Sequence, residues 1–153
     1  MLILAESIVL SMIVGIVTMS VGWYFRKNYY QEIGKNGIWF AANREDEVKW
    51  LYAQSVAPGV LVKMGAASLA VTILSEIAMV LFGFPVGNFI YYGNILGVAF
   101  LAIGIFKIED MVEKFNPCWM DQENATEEKA RWINFVKTCM SRRDYKTLEN
   151  LAK

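Results

Sequence analysis

Two long stretches of this chain carry no charged residue: Ser7 to Phe25 and Ile77 to Phe106. A helix that crosses a bilayer needs about 20 mainly apolar residues. The first stretch fits one crossing. The second is too long for one and is broken by "FGFPVGN", where Gly83, Pro85 and Gly87 signal a turn. Reading back from that turn, "APGVLVKMGAASLAVTILSEIAMVLF" forms another crossing, and "NFIYYGNILGVAFLAIGIF" a third. The pattern therefore predicts spans over about 3–25, 57–82 and 87–106. A soluble helix would show a polar stripe; "SIVLSMIVGIVTMSVGWYF" offers only scattered Ser, Thr and Gly. Nothing basic precedes Arg26 and no A-x-A-like site follows, so the first run reads as a retained helix rather than a signal peptide. The expected fold is all-α: a three-span transmembrane helix bundle with a cytoplasmic loop helix and a helical cytoplasmic tail.

Between the first two spans lies "NGIWFAANREDEVKW", with five charges. Asn43 is placed to cap a helix, with Glu45, Asp46 and Glu47 in the first turn, where the helix dipole favours acids. Glu45 and Lys49 stand four apart, a helical ion-pair spacing. Val48, Leu51, Tyr52 and Val56 follow helical spacing. This predicts an amphipathic helix that feeds into span two at Pro58. In the tail, "TEEKARWINFVKTCM" predicts a helix starting at Asn124 or Thr126. Its Trp132, Phe135, Val136, Cys139 and Met140 draw one apolar stripe. "RDYKTLENLAK" is a shorter candidate, with Tyr145, Leu148 and Leu151 on one side. Such stripes need a cover: each other, the loop helix, the bilayer surface or another protein. Trp132, Phe135, Val136 and Met140 are accordingly candidate partner-binding residues.

Charge placement adds a topology. The chain of 153 residues holds fifteen basic and fifteen acidic side chains, which points away from nucleic acid as a partner. Hydrophobic residues make up 56%, above the roughly 45–50% usual in soluble domains. Arg26, Lys27, Lys35, Arg44 and Lys49 fall between spans one and two, nine more basic residues follow Ile105, and Lys63 alone lies inside a span. Lys and Arg of short loops stay cytoplasmic. Three spans then put loop 26–56 and tail 107–153 on the cytoplasmic side of the cell membrane, with the N-terminus outside. Residues 1–106 form the membrane domain in this scheme. Trp23 and Tyr24 at one end, and Tyr91 and Tyr92 at the other, suit the headgroup zones. Cys118 and Cys139 are then expected as reduced thiols, and with no His in the chain they make no ordinary zinc site. The N-x-T pattern at Asn124 falls on the side where glycans are not added.

Three ionisable residues fall within the spans: Glu6, Lys63 and Glu76. A charge at the bilayer centre costs about 2.5–3.5 kcal/mol on insertion scales. Lys63 lies near the inner end, where its stem can lift the ammonium to the headgroups. Glu6 and Glu76 lie at similar depths near the outer ends, and are candidate ligand-binding residues for a proton, a cation or a basic peptide. Gly93 and Gly97 form G-x-x-x-G, and Ser7, Ser11 and Gly15 repeat at four, so these small residues are candidate helix-packing positions. No His, P-loop or G-x-S-x-G is present. An enzyme is therefore not expected, and no cofactor is implied.

The loop segment also resembles the conserved segment of the SdpI-type membrane proteins, whose namesake confers immunity to a secreted toxic peptide. That family's C-terminal unit has three spans, with a loop reading roughly N-x-x-x-G-I-R-T-P-x-T-L, an acidic helix start, and W-x-x-x-H-R-x-x-G. Here Gly37 and Ile38 match the start, Glu45, Asp46 and Glu47 the acidic run, Trp50 the Trp, and Pro58 or Gly59 the closing Gly. Trp39 and Phe40 replace the Arg-Thr pair; Gln54 and Ser55 replace the His-Arg pair. The resemblance implies protection against, or sensing of, a membrane-active peptide. It carries over Gly37, Ile38 and Trp50 and no catalytic residue. The residues by themselves leave two other roles open: an accessory or scaffold subunit of a larger membrane complex or homo-oligomer, and a small-solute or proton pathway.

Overall fold

A computed structural model describes residues 2–28, 37–38, 46–85, 87–116, 125–142 and 147. Among them all regular structure is helical: α1 (Leu2–Ser11), α2 (Ile13–Lys27), α3 (Glu47–Leu81), α4 (Gly87–Lys114) and α5 (Ala125–Ser141). Two of these helices, α3 and α4, are long and apolar enough to cross a membrane. The chain divides into two compact units. Unit 1 comprises Met1–Trp23 and Val60–Ile105, and unit 2 comprises Tyr24–Gly59 and Phe106–Lys153.

Several element boundaries differ from the sequence reading. Segment 3–25 is not one helix. It breaks at Met12 into α1, of 10 residues, and α2, of 15. At the break Met12 N–H bonds the carbonyl of Val9 (3.3 Å), a tightened turn, and the regular ladder resumes with Ile16 N–H on Met12 O (3.0 Å). Side chains take up the carbonyls that the break frees. Ser11 Oγ donates to Ile8 O at 2.6 Å, and Asn94 Nδ2 of α4 donates to Leu10 O at 3.1 Å. The helix that begins at Gly87 runs on past 106, as α4 continues to Lys114. Asn43 does not start α3. The helix begins at Glu47 and is capped by Asp46, whose Oδ1 accepts from Val48 N–H at 2.8 Å. Asn43 and Glu45 lie outside the described residues, as do Cys118, Asn124, Tyr145, Leu148 and Leu151. The expected loop helix and the apolar segment after it are a single helix, α3, that passes through Pro58. Because proline has no N–H, the Gln54 carbonyl loses its helical donor there.

The turn after α3 has a clear chemical cause. Gly83 takes φ of 72°, a left-handed conformation that costs glycine nothing. Its N–H bonds Val80 O (3.2 Å), and Phe84 N–H reaches back to Met79 O (2.9 Å). This Schellman pair satisfies two carbonyls that the helix end would otherwise leave open. Pro85 follows, and its carbonyl accepts from Asn88 N–H (3.0 Å) as α4 starts.

Unit 1 is packed through small residues. A Cβ on Gly93 would stand 2.5 Å from Ser11 Cβ, and one on Gly97 would stand 2.7 Å from Val14 Cβ. These contacts bring α4 against the α1–α2 segment. A Cβ on Gly15 would meet Leu69 at 2.9 Å, and one on Gly65 would meet Met19 N at 2.6 Å, which seats α2 on α3. The side chains buried between the helices are mostly small or polar: Ser7, Ser11, Thr18, Ser68, Thr72 and Glu76. Many large apolar side chains point outward, Leu74 being 66% exposed, Val98 56% and Val9 60%, while Phe89 and Leu61 are the large apolar side chains buried among the described residues of this unit. In the most apolar stretches of α3 and α4 only 22% of residues are buried. A core helix of a soluble protein has the reverse arrangement.

Unit 2 has an ordinary oily core. Trp50 and Leu51 of α3 pack with Val136, Cys139 and Met140 of α5, and Trp132 and Ile133 close over them. Tyr52 stacks on Phe115 with ring centroids 3.8 Å apart, and Phe115 in turn meets Trp132 at 5.5 Å. Lys137 of α5 pairs with Glu47 of α3 at 2.9 Å. Each buried apolar side chain is worth about 1.5–3 kcal/mol, whereas a half-exposed ion pair adds at most about 1 kcal/mol. Apolar packing therefore holds α5 to α3, and the ion pair adds little to it.

Candidate functional site

Two arrangements of polar groups stand out, one in each unit. In unit 2 the residues that carry the family resemblance come together. Ile38 N–H donates to Gln54 Oε1 at 3.1 Å, and Gln54 Nε2 donates back to Ile38 O at 2.9 Å. The side-chain amide of α3 thus pairs with the loop backbone at both of its hydrogen-bonding groups. Gly37 lies flat against Trp50: a Cβ there would stand 2.9 Å from Trp50 Cζ2 and 3.1 Å from Gln54 Oε1. Gly37 also takes φ of 136°. Any side chain at this position meets both a strained backbone and an occupied space. Trp50 itself is fully buried.

Gln54 is the member that sequence reasoning missed, since it was noted only where it departs from the family's polar pair. The available signal was its spacing. Four residues after Trp50, it lies on the same face of α3 and is an amide on an otherwise apolar stretch. Such a buried amide needs partners for both ends.

The stripe on α5 is largely used within unit 2. Val136 and Met140 are buried in its core and Trp132 is partly buried, which takes them from the predicted partner-binding surface. Phe135 stays 46% exposed. The physical reason is that Trp50 and Leu51 of α3 pack against this stripe and cover it.

In unit 1, Glu6 and Glu76 have different surroundings. Glu6 is exposed on α1. Glu76 is only 4% exposed, and its carboxyl meets the hydroxyl of Ser11. Ser11 is also the residue that closes the Ile8 carbonyl at the α1–α2 break. Asn94 stands on the other side of that break and spends both amide hydrogens, one on Leu10 O and one on Ile90 O at 2.8 Å. A break between two helices, a buried carboxyl from a third and an amide from a fourth therefore meet at one level of unit 1. Asn94 was not singled out in the sequence, although an amide in the apolar interior of α4 needs hydrogen-bond partners. Gly15, Gly93 and Gly97 stand at the helix crossings described above. Lys63 is exposed on α3.

Compared with known protein families, with curated proteins and with solved structures, the chain matches none.

Proposed function

We propose that the chain is a multi-pass protein of the cell membrane whose unit 1 crosses the bilayer three times, through the broken α1–α2 segment, α3 and α4. The observation that carries this reading is the inverted distribution in unit 1. Apart from Phe89 and Leu61, the large apolar side chains are exposed or only partly buried, while hydroxyls, glycines and one carboxyl face inward. Lipid solvates the first set, and close helix approach requires the second. Alone, α1 and α2 are shorter than a bilayer is thick. Together, Leu2 to Lys27 exceed the roughly 20 residues a crossing takes. The freed carbonyls at the break are satisfied from within the protein, the condition under which a broken helix is tolerated in lipid. With Arg26, Lys27, Lys49 and the basic residues after Ile105 gathered in unit 2, that unit is cytoplasmic and the N-terminus is outside.

Within this frame the function is that of the SdpI-type proteins, protection against or sensing of a membrane-active peptide. The support is the convergence of Gly37, Ile38 and Trp50, held by Gln54, in the folded loop. Glu6 is exposed on the N-terminal helix and is the acidic group placed to meet a cationic peptide from outside. Two experiments test the proposal. Single cysteines placed beside Arg44 or Lys146 should resist an impermeant thiol reagent in intact cells, and their modification from outside would overturn the topology. Expression in a strain killed by a secreted membrane-active peptide should raise survival, and a Gly37→Val variant should lose that gain. Unchanged killing by the wild-type chain would remove the protective role.

A further inference from the structure

Within unit 1 the outward surface of α3 carries one cation, Lys63, on an otherwise uncharged face. Lys63 is exposed, and among the described residues no carboxyl pairs with it. The acids of this unit are Glu6 and Glu76. Glu76 lies thirteen residues further along α3, roughly 20 Å away at 1.5 Å per residue, and meets Ser11 of α1. Glu6 precedes Ser11 on α1 and is farther still. A cation on a lipid-facing surface is costly unless an anion or water reaches it.

The helix crossings fix the level at which Lys63 stands. Gly15 sits against Leu69 and Gly65 against Met19, so α2 and α3 run antiparallel. Trp23 comes four residues after Met19, and Lys63 two before Gly65. The two residues therefore differ in height by only roughly 3 Å. Trp23 is exposed, and an outward Trp at the end of a span marks the headgroup zone. Lys63 thus stands at the rim of the hydrocarbon, where its stem can carry the ammonium to the lipid phosphates. In the topology proposed above this rim belongs to the cytoplasmic leaflet, which is the acidic one.

The surface beside Lys63 is shaped for an acyl chain. Ala66, Ala70 and Leu74 follow Lys63 at helical spacing on the same exposed face. The two alanines leave the helix surface low, and the outward Leu74 ends the low stretch. From Lys63 to Leu74 is roughly 16 Å, about half the thickness of a hydrocarbon core and hence the depth of one leaflet. A second copy of the chain suits this face poorly. A two-fold axis along the membrane normal would set two Lys63 cations together at one depth.

We propose that Lys63, Ala66 and Ala70 form a binding site for an acidic phospholipid of the cytoplasmic leaflet. Its phosphate sits on the Lys63 ammonium and one acyl chain lies along the two alanines. The inference rests on the membrane placement of unit 1 and is independent of the peptide-protection role.

Electron spin resonance of the full chain in phosphatidylcholine vesicles tests it, with a trace of spin-labelled phosphatidylglycerol or of spin-labelled phosphatidylcholine. The fraction of label immobilised by the protein should be larger for phosphatidylglycerol. One basic side chain at an anionic lipid is worth roughly a fivefold preference, so Lys63→Met should remove about that factor and Lys63→Arg should keep it. Lys27→Met removes a charge exposed at the end of α2 and should change the preference less. Ala70→Leu fills the low surface while leaving the cation in place, and should also reduce the immobilised phosphatidylglycerol. A preference that Lys63→Met leaves intact, or lowers no more than Lys27→Met does, would overturn the proposal; an unchanged fraction in Ala70→Leu would overturn the chain seat. Disulfide-linked dimers formed by Ala70→Cys beyond the wild-type level would assign the face to a second copy instead. A chain that fails to insert into vesicles would overturn the membrane placement itself, and the lipid site with it.

Discussion

Replacing Gly93 by Ala tests the packing of unit 1 most directly. The added Cβ would stand 2.5 Å from Ser11 Cβ and 2.8 Å from Ser11 O. Carbon contacts are comfortable at about 3.5–4.0 Å, so α4 must retreat from Ser11 by about 1 Å. Ser11 O is backbone within a helix, and no rotamer change relieves the clash. Overpacking of this kind costs about 1–3 kcal/mol. The substitution also gains helix propensity, about 0.8–1.0 kcal/mol in water, which would blur a single measurement. Gly104→Ala supplies the reference. It lies in the interior of the same helix, so the propensity gain cancels in the difference. Its Cβ would meet only Met64 Cγ at 3.1 Å and Met64 Cβ at 3.4 Å, part of a flexible side chain that can move aside. Reversible unfolding in mixed micelles, followed by circular dichroism, should therefore show Gly93→Ala less stable than Gly104→Ala by about 1–3 kcal/mol. Equal stability of the two variants, or the reverse order, would refute the close approach of α4 to Ser11.

Three further outcomes follow from unit 2. Gln54→Ala removes both hydrogen bonds that it makes to Ile38 and should cost about 1–3 kcal/mol, with faster hydrogen exchange at the Ile38 amide; unchanged exchange there would argue against the clamp. A double-mutant cycle with Glu47→Gln and Lys137→Met should give a coupling below about 1 kcal/mol, because both side chains are partly in water. A larger coupling would mean that the ion pair, not the apolar core, joins α5 to α3. Burial raises the Tyr52 phenol above its ordinary value of 10.0. The folded state thus favours the proton, and this contribution is fully present below the unfolded value and lost as pH climbs through the folded one. Alkaline unfolding should accordingly begin at higher pH in Tyr52→Phe, with ultraviolet difference spectra following tyrosinate formation.

Much of the architecture was legible along the chain because apolar continuity is a local property. Uncharged runs marked the helices of unit 1, the Gly83–Pro85 turn marked their separation, and the spacing from Trp132 to Met140 marked the buried face of α5. The break at Met12 left no such mark, since no Pro or Gly stands there. It arises from Ser11 and Asn94 taking the carbonyls of Ile8 and Leu10. The cap of α3 falls three residues after the expected one for a related reason: Asn43 and Asp46 have equivalent capping chemistry, and spacing along the chain does not choose between them.

The sequence by itself determined that the chain is helical, where its apolar segments lie and how its charges are divided, since each follows from neighbours a few positions apart. Only the tertiary structure decided that Ser11 meets Glu76 across 65 positions, that Asn94 reaches Leu10 across 84, and that Gln54 holds Ile38 across 16. Those pairings depend on how closely glycines let the helices approach and on where the loop returns. A buried polar group must bond whatever that packing places within reach.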